Sequence, residues 1–393
     1  MTKEELQALS SEFHSTPRER LSQRVKDILD NGNAFIDTHC HIFDNKCTPF
    51  GKYIDASSMD THKSKRVQLK RDINDFFKLL VKESSREILI YYYENFYNIN
   101  TDILVPLMVD LDKGWVKHPE KGSIKSIGEQ IVEIKNIMND FPIIPFLAVD
   151  PHRTKNEKPE NDLYANFHKA FTGKNKFFGI KIYPGLGYTP SDDRLDPIYS
   201  ICNAYDIPVT THCGTGLIHT RKHFRKTRGK AAFKGKIIPK DYSFYKRNGK
   251  RKPFRIIANE LNHPDKWEPV LEQYQNLKIN FGHYGGKAAW DAYINYPNSE
   301  TNRVAVINSF AKKYKNRVFA DVSTTFTKGH TFQLICDQFN REPIIKDILM
   351  YGSDIHVILP FTDFCHQLDS FKKISGKNME LLSVTNPRKF LGI

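Results

Sequence analysis

The sequence has no apolar run near the ~18 residues that cross a membrane. Its start, Met1-Thr2-Lys3-Glu4-Glu5, lacks the apolar stretch of a secretion signal. Neither a membrane anchor nor export is therefore expected. The six cysteines, Cys40, Cys47, Cys202, Cys213, Cys336 and Cys365, contain no CxxC pair and no regular spacing. They read as reduced thiols of a cytoplasmic protein. Cys40 and Cys213 adjoin candidate ligands described below, and small buried filler is the reading preferred for both. The 20 prolines and 21 glycines are scattered, which excludes a collagen repeat and a Pro/Gly linker. No glycine-rich phosphate turn follows the first strand-like run, which argues against an open doubly wound sheet.

Acidic charge is scarce in one place. Residues 219–260 hold fifteen Lys and Arg against two acids, Asp241 and Glu260. That segment carries +13 of the total +14, so the remainder is close to neutral. The chain is thus a near-neutral body with one basic segment.

What is present is alternation. Eight short apolar runs read as strands buried on both faces: 34–39, 103–109, 143–149, 177–183, 207–212, 277–283, 317–322 and 348–354. Helical stretches lie between them, at 124–140, 163–171, 196–205, 266–275, 304–315 and 331–339. Eightfold strand–helix alternation predicts an α/β fold, a (β/α)8 TIM barrel spanning 34–393. An N-terminal helical extension is expected over 1–33. Insertions of about 42–100 and 215–262 follow strands 1 and 5. The first includes a charged helical stretch from Lys63 to Tyr93, and the second holds the basic segment. Insertions after strands sit on the face where barrel enzymes keep their active sites.

Polar residues recur at these strand ends. His39-Cys40-His41 closes the first strand, and residues two apart in a strand face one side. Both imidazoles could then hold one metal ion. His212 ends the fifth strand, His283 the sixth and Asp354 the eighth, while Lys181 interrupts the apolar fourth. A single histidine at a strand end is commonly structural. Three His-bearing strands and an aspartate at one rim are hard to explain by packing, and a divalent cation unites them. Tyr183 and Tyr188 either line the site or are ordinary turn aromatics.

These pieces resemble the amidohydrolase superfamily, in its amidohydrolase-related (amidohydrolase 2) branch. The resemblance rests on Phe35-Ile36-Asp37-Thr38-His39-Cys40-His41, Pro145 to Pro151, Gly179 to Pro184, Ile207 to Gly214, Phe281 to Gly286, Tyr351-Gly352-Ser353-Asp354 and Asn386 to Gly392. It implies one or two divalent ions, zinc being the expected metal, with His39, His41, His212 and Asp354 as ligands. It also implies that His283 holds a second ion or acts as acid or base, and that Asp354 takes a proton from the activated water. Lys181 is either a carbamylated bridge between two ions or a barrel lysine that orients substrate or pairs with an acid.

The expected activity is a metal-dependent hydrolase cleaving a C–N or C–O bond of a small, anionic carbonyl substrate, with His283 steadying the oxyanion. The alternative is a non-oxidative decarboxylase on the same scaffold, which shares every ligand. Tyr183, Arg221 and Arg225 join Lys181 as expected substrate contacts, the two arginines because they open the basic segment just past His212-Cys213-Gly214. Polyanion or nucleic-acid binding through 219–260, where aromatics interleave with cations, is the less favoured reading. A homo-oligomer is left open.

Overall fold

The computed structural model describes the chain except for residues 33, 45, 48–83, 115–122, 155–157, 215–219, 221–230, 234–235, 239–245, 248–249, 252–253, 298, 325–328 and 360–362. Its eight principal strands are β1 Phe35–Cys40, β2 Asp102–Pro106, β3 Phe146–Val149, β4 Gly179–Ile182, β5 Val209–His212, β6 Ile279–Gly282, β7 Val318–Asp321 and β8 Leu349–Met350. β3 to β8 pair in sequence order, all parallel, and β1 pairs parallel with β2. Parallel bridges Leu104–Ile143 and Leu107–Phe146 join β2 to β3. The ring closes where the Thr38 amide donates to the Tyr351 carbonyl at 3.0 Å and the Asp354 amide to the His39 carbonyl at 2.6 Å. This is the expected (β/α)8 barrel, and all eight strand runs read from the sequence are in it.

Apolar side chains seal the base of the barrel. Ile36, Ile103, Val105, Phe146, Phe178, Phe319 and Met350 form one buried cluster with Val25, Leu29, Phe390 and Leu391. The helices Gln23–Asp30 and Asn386–Leu391 therefore floor the barrel. The Phe390 ring lies 5.5 Å from that of Phe319 and 6.2 Å from that of Phe146. A larger cluster fills the shell between strands and outer helices.

Helix starts follow capping chemistry. Ser126 and Glu129 form a capping box, so that helix runs Ile127–Ile137, inside the wider 124–140 expected. Asp162 caps Leu163–Phe171 and Asn302 caps Arg303–Lys313. The stretch expected as one helix over 266–275 is split. A 3-10 turn, Pro264–Trp267, precedes the helix Glu268–Gln273, because Pro269 belongs at a helix start. After β1 the helix Ser85–Asn95 covers the end of the expected 63–93 stretch, and residues 63–83 lie outside the described ones. Within 215–262, two short antiparallel pairs, Ala231–Phe233 with Lys236–Ile238 and Lys246–Arg247 with Lys250–Arg251, precede the helix Phe254–Leu261. All six cysteines are unpaired. Among the described residues no helix is long and apolar enough to cross a membrane.

Truncating the floor should be costly. Phe390→Ala is expected to lower unfolding stability by about 3–5 kcal/mol, the usual range for a buried aromatic. Urea denaturation checks it, and a loss under about 1 kcal/mol would show that the C-terminal helix does not seal the barrel.

Candidate metal centre

Parallel register brings the C-terminal strand ends to one rim. Gly282 pairs with His212, Lys181 with Thr210 and Asp321 with Met350. In β1 the pairing with β2 slips between Asp37 and Cys40. An irregularity of that kind changes which face successive side chains take. Below it Ile36 packs into the floor; above it His39 and His41 enter the site, and Cys40 packs into the outer shell.

His39 fits because its neighbours lack side chains. A Cβ on Gly352 would lie 2.8 Å from the His39 Cβ, and one on Gly282 would lie 2.9 Å from its Cε1. Two site residues are held at left-handed backbone angles, His283 at φ 66° and Asp354 at φ 54°. Non-glycine residues seldom adopt such angles, and they do so where surrounding structure enforces them.

Each imidazole has a fixed proton. The His41 Nδ1 lies 2.6 Å from the Leu107 carbonyl oxygen, which can only accept, so Nδ1 carries hydrogen. In the neutral ring Nε2 then offers a lone pair, and it lies 3.3 Å from Asp354 Oδ1. Two electron-rich atoms at that distance repel unless a proton or a metal ion is shared between them. His39 donates from Nδ1 to Asp321 Oδ2 at 3.0 Å, which also turns its Nε2 into an acceptor. His283 donates from Nδ1 to the Ser323 carbonyl at 3.1 Å, and its Nε2 lies 3.0 Å from the His212 Nδ1. The proton between them therefore belongs to His212, whose buried Nε2 has no hydrogen-bond partner. Tyr183 stacks on the His212 ring at 4.1 Å.

Asp321 organises this set. Its Oδ2 also accepts from Asn280 Nδ2 at 2.8 Å, and its Oδ1 accepts from the His283 and Ser323 amides at 3.0 and 3.1 Å and from the Ser323 hydroxyl. Burial pushes its carboxyl up, but the adjoining His39 and His283 and these hydrogen bonds outweigh it and hold the group far below the usual carboxylate range. Burial would likewise raise Asp354; His41, His39 and His283 hold it below its ordinary value. Burial, only partly offset by Asp321, pushes His39 down to about 4. Burial, then His283 and Lys181, pushes His212 down as well. Both imidazoles are therefore neutral at pH 7, the form that binds metal. Lys181 is pushed down to about 8 by burial, against the pull of Asp321 and Asp354. Its Nζ has no hydrogen-bond partner.

Of the residues expected from the sequence, His39, His41 and Asp354 offer atoms all within 4.8 Å of one another. His39, His283 and Asp321 form a second such group. His212 belongs to neither and joins them through His283. Tyr183 and Lys181 stand at the same rim, while Tyr188 turns its hydroxyl to the Val149 carbonyl. Arg221 and Arg225 lie outside the described residues. Asp321 and Ser323 were not expected from the sequence. Asp321 ends its strand as His212 and Asp354 follow theirs, and the same strand-end reading applied to Phe319-Ala320-Asp321 would have found it.

The donor set fits a divalent cation. Three imidazoles are committed through Nδ1, leaving Nε2 for an ion, and the His41–Asp354 contact needs positive charge between its atoms. The second group is already satisfied by protons and hydrogen bonds.

Comparison with known families agrees with the sequence. The amidohydrolase family model Amidohydro_2 matches residues 169–393, more than half of the chain. The chain belongs to the amidohydrolase family. No curated protein matches it. Among solved structures it is similar to a TIM-barrel protein from Bordetella bronchiseptica, at 14% identity and a TM-score of 0.49 over 91% of this chain and 98% of that one. It is also similar to 5-carboxyvanillate decarboxylase from Sphingomonas paucimobilis, at 13% identity, TM-score 0.46, over 92% and 100%. A manganese-bound dihydroxybenzoic acid decarboxylase from Polaromonas gives 15% identity, TM-score 0.48, over 92% and 97%. At TM-scores this low the likeness says nothing about the reaction of this family member.

If Asp321 fixes His39, Asp321→Asn should weaken divalent-metal affinity by about 10–100-fold, the usual effect of losing a carboxylate behind a ligand histidine. Competition against a chelator measures it, and unchanged affinity would remove Asp321 from that task.

Proposed function

We propose that this amidohydrolase-family chain is a metal-dependent hydrolase that cleaves a C–N or C–O bond of a small anionic carbonyl compound. The observation that carries the reading is the buried pair of His41 Nε2 and Asp354 Oδ1, 3.3 Å apart, with the His41 Nδ1 already committed to the Leu107 carbonyl. His39, His41, His212 and Asp354 would hold one divalent ion, with zinc expected from the imidazole and carboxylate donors. When bound, the ion would supply electrophilic activation of a water and of a substrate oxygen.

The remaining tasks fall to the chain. Asp354, held ionised, takes the proton that the attacking water loses. Lys181, buried and without a partner, receives the anionic group of the substrate. His283 is assigned to His212: its Nε2 accepts the His212 Nδ1 proton and keeps Nε2 of that ring aimed outward. The oxyanion role expected for His283 would require it to release that contact. One ion is favoured over two because the group His39, His283 and Asp321 is internally hydrogen-bonded. A carbamate on Lys181 is then not needed. The +13 of residues 219–260 is a second support for an anionic substrate, through its long-range field.

Protein purified without chelators should carry about one equivalent of a divalent metal, read by elemental analysis. Less than about a tenth of an equivalent, with no gain on reconstitution, overturns the metal centre. Against a panel of amides, esters and lactones bearing a carboxylate, Asp354→Asn should lower turnover by about 10²–10⁴-fold while the fold is kept. Release of CO2 from carboxylic acids without hydrolysis of any panel member would replace the hydrolase with the lyase.

A further inference from the structure

Beside the metal centre, between the ends of β2, β3 and β4, lies a cleft lined by Val109, Ala148, Asp150, Lys181, Tyr183 and Tyr188 among others. It spans about 230 Å³, part of it open to solvent, but leaves only about 10 Å³ for the centre of a water-sized group. A space of that size takes one small substituent, not a whole molecule.

Three buried charged residues line this cleft; Asp110 is paired with Arg153, whereas Asp150 and Lys181 do not bond each other. Asp150 is 2% exposed and directly follows β3. Its Oδ1 accepts from the His152 amide and ring Nδ1, both at 2.8 Å, while its Oδ2 is buried with no hydrogen-bond partner. Lys181, 4% exposed, has a buried Nζ in the same condition. A buried carboxylate oxygen and a buried ammonium each lose free energy when left alone, and opposite charges in one cleft ordinarily pair. The other polar neighbours are already committed. Arg153 is held by Asp110 and by Asp112, the latter at 3.1 Å. The Tyr188 hydroxyl donates to the Val149 carbonyl at 3.0 Å and accepts from the Tyr183 amide at 2.8 Å. Burial pushes the Asp150 carboxyl up, but His152 and Arg153 outweigh it and keep the group ionised.

We propose that this cleft is a substrate subsite: Asp150 Oδ2 accepts a hydrogen bond from a hydroxyl or ammonium group of the substrate, whose anionic group lies at Lys181. The proposal rests on the reading of the neighbouring rim as the active site. It narrows the substrate class to small acids carrying a second, hydrogen-bond-donating substituent. The apolar walls, Val109 and Ala148, exclude water from that bond and so make a missing donor costly. Asp150 is a specificity residue here and takes no part in bond cleavage.

Binding of six probes to the full-length chain tests it: propanoate, 3-hydroxypropanoate, β-alanine, and the butanoate, 4-hydroxybutanoate and 4-aminobutanoate homologues. Titrations run with and without added zinc, followed by ligand-observed NMR. In at least one series the hydroxy or amino acid should bind about tenfold or more tighter than its parent acid, as a hydrogen bond to a buried charge implies. Whichever of the two shows the gain identifies the donor. Asp150→Ala, which removes the acceptor, should erase the gain of the hydroxy or amino acid over its parent, and Lys181→Met should weaken all members. Equal affinity within both series, no binding of any probe, or a preference that survives Asp150→Ala overturns the subsite. The preference within wild type is independent of whether a variant folds, and thermal melts identify a variant that does not. Metal content of the same samples separates the two readings: normal metal with equal affinities sinks the subsite alone, whereas no metal uptake sinks the metal centre.

Discussion

A buried imidazole nitrogen facing a buried carboxylate is the constraint on which this rim depends. Leu107 takes the only proton of a neutral His41, and the ring then turns its bare nitrogen to Asp354. Buried, with little water to screen them, those two atoms stay together only if positive charge sits between them. The rest of the site can be understood as the means of holding that arrangement. Asp321 ties His39, the Ser323 carbonyl ties His283, and His283 in turn ties His212. Each tie spends Nδ1, and the rings of His39, His41 and His212 are left with Nε2 turned away from it.

The backbone is shaped for this as much as the side chains are. Gly282 and Gly352 make the slot for His39: a methyl group at Gly282 would press on its ring and one at Gly352 on its Cβ. His283 and Asp354 sit at angles that L-residues avoid, which positions one ring against β5 and one carboxylate against β1. The surroundings that enforce these angles are the closing hydrogen bond of the barrel, Asp354 amide to His39 carbonyl, and the grip of Asp321 on the His283 amide. Barrel closure and site geometry are therefore one event: the bond that shuts the ring also fixes the site aspartate.

Charge is distributed unequally around this centre. On the β7 side the acids are fully engaged, whereas on the β3–β4 side Asp150 and Lys181 each keep one buried atom uncommitted. A site that was only structural would pair them. Both open atoms lie within one narrow cleft, which is what the proposed subsite rests on.

The sequence by itself determined the barrel and its eight strands, and it marked His39, His41, His212, His283, Lys181 and Asp354 as candidates, because buried parallel strands leave unbroken apolar runs whose polar ends stand out. Helix starts were legible only to within a few residues, as the expected 124 against the observed Ile127 behind its Ser126 cap shows. Only the tertiary structure decided which atoms face each other. Asp321 lies 282 residues from His39 in sequence, and their bond exists only because the ring closes β7 near β1. The division of labour among the histidines was equally hidden. Which nitrogen carries the proton depends on carbonyls of Leu107 and Ser323, and backbone oxygens have no letter in a sequence.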